Sequence, residues 1–265
     1  MATRDDDATA LYLAHLNPVT NAHVEIISDL RGAAGTVKVM PVVFRDRDHN
    51  EVNSRSFPFS FECRREMLES VFGDSIVISD DYTFHAPFRR YMPPLLSPMS
   101  WRLRRQILRG VGHRRYFSYT GDRTEGYMLR LYRLKPRVGT RRPISAASVK
   151  ERMYGAALAE GVGGDRDPDD DDHDDDHDDD HDDDHDDDHD DHDRGDDHGS
   201  DDRNGTGSGT GGGSGPEEGR APGGWESDVP EPVARIIRRE WDVVGRFAGA
   251  EDMTARILGM KFPKE

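Results

Sequence analysis

The chain is poor in cysteine, in apolar residues and in long hydrophobic runs. Cys63 is the one cysteine among its 265 residues, which excludes an internal disulfide and any zinc site built from cysteine pairs. That usage fits a reducing compartment, and a soluble cytoplasmic protein is expected. No apolar run approaches the roughly 20 residues a membrane span needs. The first ten residues, MATRDDDATA, have neither the cationic start nor the apolar stretch of a secretory signal. Hydrophobic residues make up 34% of the chain, and the shortage is local. Residues 163–224 hold almost none, and there 27 acidic residues stand against 4 arginines.

This segment sets the charge of the whole molecule. The formal net charge is −17, the segment alone carries −23, and the remaining 203 residues sum to +6. The foldable part is therefore mildly basic, and a partner is to be read from it. Within the segment His173, His177, His181, His185 and His189 are separated by Asp-Asp-Asp, and GTGSGTGGGSG follows. With nothing to bury, such a stretch has no gain to set against chain entropy, and a disordered insertion is expected over 163–224. It would divide an α/β domain at 1–162 from a C-terminal helical segment at 225–265 that docks on it. Histidines four apart would share one helix face and attract Zn²⁺, Ni²⁺ or Cu²⁺. The aspartates between them repel one another and oppose a helix, so a solvated spacer is expected and no specific metal site.

The first piece alternates strand and helix patterns. ALYLAHL at 10–16 is an apolar run that ends at Asn17-Pro18. From Thr20 to Leu30 the apolar residues Val24, Ile27 and Leu30 recur at helical period. TVKVMPVVF at 36–44 reads as a strand, and FSFECRREMLESVF at 59–72 as a helix. SIVIS at 75–79 and YFSYT at 116–120 read as strands, and 145–158 as a helix opened by Pro143 and Ser145. Alternation of this kind predicts a Rossmann-like, doubly wound parallel sheet, with ligands beyond the carboxyl ends of its strands.

Two stretches carry residues suited to phosphate. In Asn17-Pro18-Val19-Thr20-Asn21-Ala22-His23, Thr20 is a plausible N-cap, and His23 falls in the first turn of a helix starting at the ligand edge. Free N–H groups and the positive helix end favour an anion there, and a histidine can donate to a phosphoryl oxygen. The same residues also suit an ordinary capped helix with a surface histidine. In Arg142-Pro143-Ile144-Ser145-Ala146-Ala147-Ser148-Val149-Lys150, hydroxyls, amides and a cation gather at a second helix start. That stretch, too, reads equally as a capped amphipathic helix with an exposed lysine.

Taken together, the two stretches resemble the nucleotidyltransferase superfamily, the cytidylyltransferase-like adenylyl- and cytidylyltransferases. Its opening motif, Gly-x-Phe-x-Pro-x-(His/Thr)-x-Gly-His, is matched by Ala14-His15-Leu16-Asn17-Pro18-Val19-Thr20-Asn21-Ala22-His23, with alanine at both glycines. Its closing motif, Ile-Ser-Ser-Thr-x-Ile-Arg, is matched by Ile144 to Lys150, where a point charge replaces the bidentate guanidinium fork. Arg64-Arg65-Glu66-Met67 resembles the family's Arg-x-x-Met helix, and Gly121-Asp122-Arg123 its Gly-x-Asp turn. Trp225-Glu226-Ser227-Asp228-Val229-Pro230 followed by Val233 to Arg239 looks like the closing segment of archaeal nicotinamide-nucleotide adenylyltransferases.

The resemblance implies attack by a phosphorylated acceptor on the α-phosphorus of a nucleoside triphosphate, ATP or CTP, with pyrophosphate leaving and Mg²⁺ as cofactor. It implies catalytic roles for His23, Thr20 and Lys150. It implies nucleotide binding by Leu16, Asn17, Thr20, His23, Gly121, Asp122, Ile144, Ser145, Ser148 and Lys150. An adenylyl donor is the first choice. The rival is a catalytically silent nucleotide- or RNA-binding protein on the same fold. Alanine at the two motif glycines, Ala14 and Ala22, and the stretch from Arg89 to Arg115, basic with interleaved aromatics, motivate it. That stretch admits an anionic acceptor, a nucleic acid as the less favoured partner, or a solvated helix face. Arg137, Arg141 and Arg142 are further candidates for the phosphate site. Oligomerisation is left open.

Overall fold

The computed structural model describes residues 5–111, 115–140, 142–162, 224–257 and 260–264. The 163–223 tract with its histidines, Arg141, and His113-Arg114 of the basic stretch lie outside them.

Strand β1 (Asp5–Ala14) leads into helix α1 (Asn21–Ala33), and strand β2 (Ala34–Pro41) follows directly. The run at 36–44 expected as one strand divides at Val42, because β3 (Val43–Arg45) leaves for a separate sheet. After α2 (Phe61–Phe72), the expected strand at 75–79 shrinks to β4 (Val77–Ile78), since Gly73–Ser75 form a 3-10 turn. Then come β5 (Thr83–His85), α3 (Pro98–Ile107), β6 (Arg115–Thr120), α4 (Arg123–Leu131), β7 (Pro136–Val138) and α5 (Ala146–Ala159). The last described part holds α6 (Glu231–Arg239), α7 (Trp241–Ala248) and the antiparallel hairpin β8 (Thr254–Ile257) and β9 (Met260–Pro263).

The main sheet is parallel throughout, in the order β4-β2-β1-β6-β7. The chain winds outward from β1 in one direction and then the other, so the order reverses between β1 and β6. That is the Rossmann-like doubly wound arrangement, with its crevice at the reversal. Side-chain alternation along β1 divides the core in two. Ala8, Ala10 and Tyr12 face one layer with Ile27, Met67, Val149 and Met153. Leu11 and Leu13 face another with Leu103, Ile107, Met128 and Leu129. Thus α1, α2 and α5 cover one face, and α3 and α4 the other. Gly126 permits close packing of α4 on β7, since a Cβ there would meet a Val138 methyl at 2.7 Å.

The segment from Trp225 onward shares the first layer. Trp225, Val229, Val233, Ile237 and Val244 are buried with the helices around β1. Polar ties reinforce the seam: Asn21 Nδ2 donates to the Ser227 carbonyl at 3.1 Å, Arg152 pairs with Asp228, and Arg239 pairs with Glu66 at 2.7 Å. Phe262 on β9 joins the second layer against Phe44, Phe84 and Phe88. Among the described residues no helix is long and apolar enough to cross a membrane.

Candidate functional site

At the strand-order reversal, a cavity of about 290 Å³ opens beyond the ends of β1 and β6. Helices α1, α4 and α5 all begin at its wall, which includes Ala22 and His23, Gly121 and Asp122, and Ile144 and Ser145. Asp122 and Ser145 cap their helices, accepting from Thr124 and Glu125 amides at 2.7 and 3.0 Å and from Ala147 and Ser148 amides at 3.2 and 3.4 Å. Three positive helix ends aimed at one cavity suit an anionic ligand.

His23 occupies the third position of α1, where a capping box ordinarily places Glu or Gln. Its Nδ1 accepts from the Thr20 amide at 3.0 Å and lies 3.1 Å from the Thr20 hydroxyl. Because an amide can only donate, Nδ1 must be unprotonated, and the ring proton sits on Nε2. Burial pushes the imidazole pKa down to about 4, helped by the charge of Lys150. The ring is therefore neutral at pH 7, with an Nε2–H to offer. Thr20 itself is fully buried beneath it and is not in the cavity wall.

Leu16 lines the cavity in a left-handed conformation, φ 50°, which costs a leucine energy that packing must supply. Asn17 is fully buried, and its carboxamide is spent on Phe59: Nδ2 donates to the carbonyl at 2.8 Å and Oδ1 accepts from the amide at 3.2 Å. Its side chain thus fastens the loop after β1 to the start of α2. Arg64 does the same from α2. Its guanidinium donates to the carbonyls of His15 and Val42 at 2.9 and 2.7 Å and pairs with Glu51 at 3.0 Å. Arg64 is a positioning residue for the first motif.

The structure places Ser148 exposed, its hydroxyl returning to the Ser145 carbonyl at 2.8 Å. Lys150 is not in the cavity wall, its ammonium donating to the Ser56 carbonyl at 2.6 Å. Burial, then Lys261, pushes its pKa down to about 8. Its charge nonetheless acts on both His15 and His23. His15 stacks on Phe57 with 4.8 Å between ring centroids, and its Nδ1 is buried with no partner among the described residues. Arg142 lines the cavity while paired with Asp29 at 2.6 Å, whereas Arg137 lies 3.6 Å over the Phe117 ring.

Sequence reasoning missed Tyr12, Thr120 and Glu125, all in the cavity wall. Glu125 stands three residues after the Asp122 cap, a capping-box position, and that was the signal available. Its carboxylate accepts instead from the Thr120 hydroxyl. Burial pushes its pKa up to about 7, with Asp122 adding to the rise and Thr120 opposing it. A carboxyl that binds its proton more tightly folded than unfolded makes stability fall as pH climbs from its unfolded pKa, near 4.3, to about 7. Glu125→Gln should therefore melt higher than the parent at pH 8 and alike at pH 4.5. Melting curves that stay parallel across that range would remove the perturbed carboxyl.

No protein-family model matches the chain, and no curated protein matches it in sequence. Solved structures similar to it include a bifunctional NMN adenylyltransferase/ADP ribose pyrophosphatase from Francisella tularensis, complexed with AMP and Mn ion. That match has 15% identity and a TM-score of 0.43, over 56% of this chain and 42% of that one. A NadR protein in complex with NR is similar at 14% identity and a TM-score of 0.39, over 60% and 44% of the two chains. The chain spans under half the length of the structures it matches. At these scores the likeness carries no argument about activity, and the fold class rests on the strand order itself.

Proposed function

We propose that the protein is a nucleotidyltransferase. It would transfer a nucleotidyl group, adenylyl first, from a nucleoside triphosphate to a small phosphorylated acceptor and release pyrophosphate. The observation that carries this reading is the convergence of three helix N-termini and a neutral, Nε2-protonated His23 on one cavity at the sheet's switch point. Phosphoryl-group chemistry of this type asks for positioning and charge neutralisation more than for a protein nucleophile. The described residues fit that demand. Cys63 is half-buried outside the cavity wall, and burial pushes its thiol up to about 12, away from the thiolate form.

The acceptor's phosphate oxygen would attack the α-phosphorus while the bond to the bridging oxygen breaks, and pyrophosphate takes the electron pair. His23 donates to a non-bridging oxygen, and the amides of α1 and α5 that their caps do not engage, those of Asn21, Ala22 and Ala146, receive the rest of the triphosphate. Mg²⁺ would neutralise phosphate charge. Of the cavity wall, Asp122, whose Oδ1 already caps α4, and Glu125, once its proton is lost, would offer it carboxylate oxygens, and the nucleotide would supply most of the ligands. Within this reading 163–224 is an insertion between α5 and the Trp225 segment, outside the catalytic part.

Lys150 separates this reading from the silent nucleotide-binding one, which its engagement with Ser56 favours. If the ammonium turns to the leaving group, Lys150→Ala should lower turnover more than nucleotide affinity, because that charge grows in the transition state. Lys150→Arg should be tolerated. Pyrophosphate release over a panel of phosphorylated acceptors is the measurement. No release with any acceptor, alongside intact ATP or CTP binding, would favour the silent reading.

A further inference from the structure

On the sheet face opposite α1 and α5, a second and larger groove, of about 590 Å³, runs between α3 and the end of β5. Its wall is His85, Arg102, Arg105, Gln106 and Arg109, and it shares no residue with the cavity at the switch point. Arg102, Arg105 and Arg109 are spaced three and four residues apart, which puts them in one row along the helix and the turn that ends it. All three are exposed. Among the described residues Arg102 and Arg105 have no carboxylate partner, and Arg109 reaches Asp81 only at 3.6 Å.

The row is held in place from below. Lys38, buried on β2, pairs with Asp81 at 2.7 Å and donates to the Arg109 carbonyl at 2.8 Å. Leu103 and Ile107 anchor α3 in the core. Opposite the arginines, His85 has a buried Nδ1 with no partner among the described residues. The His85 ring meets His49 edge-on at 5.5 Å.

Arg102 and Arg105 carry guanidiniums free to meet an anion, and with Arg109, held only at 3.6 Å by Asp81, they make a row about 10 Å long, more than one phosphate can engage. We infer that this groove binds a single strand of nucleic acid through its phosphate backbone, as a second site of the protein. Guanidiniums read phosphates without regard to sequence, and histidine rings offer a surface for bases.

The test uses the full-length protein and a fluorescein-labelled 12-nucleotide single-stranded RNA of mixed sequence, followed by anisotropy at 50 to 200 mM salt. Arg102→Gln/Arg105→Gln is compared with a charge-matched control, Arg31→Gln/Arg246→Gln, both pairs being exposed. The acidic tract is common to all, so its repulsion cancels. The groove variant should bind at least tenfold more weakly than the control. The slope of log affinity against log salt should be shallower by about 1.4, at roughly 0.7 for each phosphate no longer neutralised. A DNA strand of the same sequence should behave alike, and ATP binding in the other cavity should not change. Equal losses in both variants would reduce the effect to overall charge. Displacement of the RNA by micromolar pyrophosphate would make the groove a small-anion site. No binding at 50 µM protein and 50 mM salt would remove it altogether.

Discussion

His23→Ala should lower turnover at least tenfold, about 1.4 kcal/mol of barrier, and His23→Glu should lower it at least as far while leaving the fold intact. The pair of variants separates two jobs that one ring performs. Its Nδ1 closes the capping box with the Thr20 amide, and loss of a cap costs about 0.5–2 kcal/mol. Its Nε2–H is the donor offered to phosphate. Glutamate at this position restores the cap and suits the positive helix end, but it sets an anion against an anion. A histidine that only caps would give the opposite result: His23→Glu active, His23→Ala merely less stable. Steady-state pyrophosphate release and thermal melting of the two variants decide the matter. Because burial holds the ring near a pKa of 4, the turnover profile should show no inflection from His23 between pH 6 and 8.

The architecture was legible where the hydrophobic period was long and undisturbed. β1, α1, β2, α2, β6 and α5 lie within a few residues of the runs that announced them. The shorter pieces were not legible, for identifiable reasons. β7 is Pro136-Arg137-Val138, three residues with a single strand former, too short to announce themselves, that pair with the edge of β6. β5 likewise owes its pairing to a distant partner, β3, some forty residues earlier. In the site, the capping residues Asp122 and Ser145 could be read from local chemistry, since a cap acts within four residues. The duties of Asn17 and Lys150 could not. Asn17 is committed to a carbonyl 42 positions away and Lys150 to one 94 positions away, and nothing in either motif announces such partners. Glu125 was missed because its raised pKa comes from burial among Tyr12 and Thr120, a property of the assembled crevice.

Arg64→Met should be the most destabilising single change near the site, at about 3–5 kcal/mol, the usual cost of breaking a buried ion pair from one side. For a folded part of this size that corresponds to a drop in Tm of roughly 10 °C. The cause is threefold. Arg64 is 2% exposed, so methionine replaces its volume but none of its donors. The carbonyls of His15 and Val42 lose their partner, and among the described residues the Glu51 carboxylate keeps only the Phe61 amide, at 2.9 Å. Those two carbonyls lie on the loops after β1 and β2, so the change also loosens the wall that presents Leu16 and His23 to the cavity. Nucleotide affinity should therefore fall along with stability. The double variant Arg64→Met/Glu51→Gln should recover part of the melting temperature, because the uncompensated carboxylate is gone, yet little of the affinity, because the His15 loop remains untied. Melting and ATP or CTP titration of the parent, both single variants and the double form the cycle. Independent, additive effects of the two substitutions would show that the pair does not act as a unit, and Arg64 would then be no more than a packed side chain of α2.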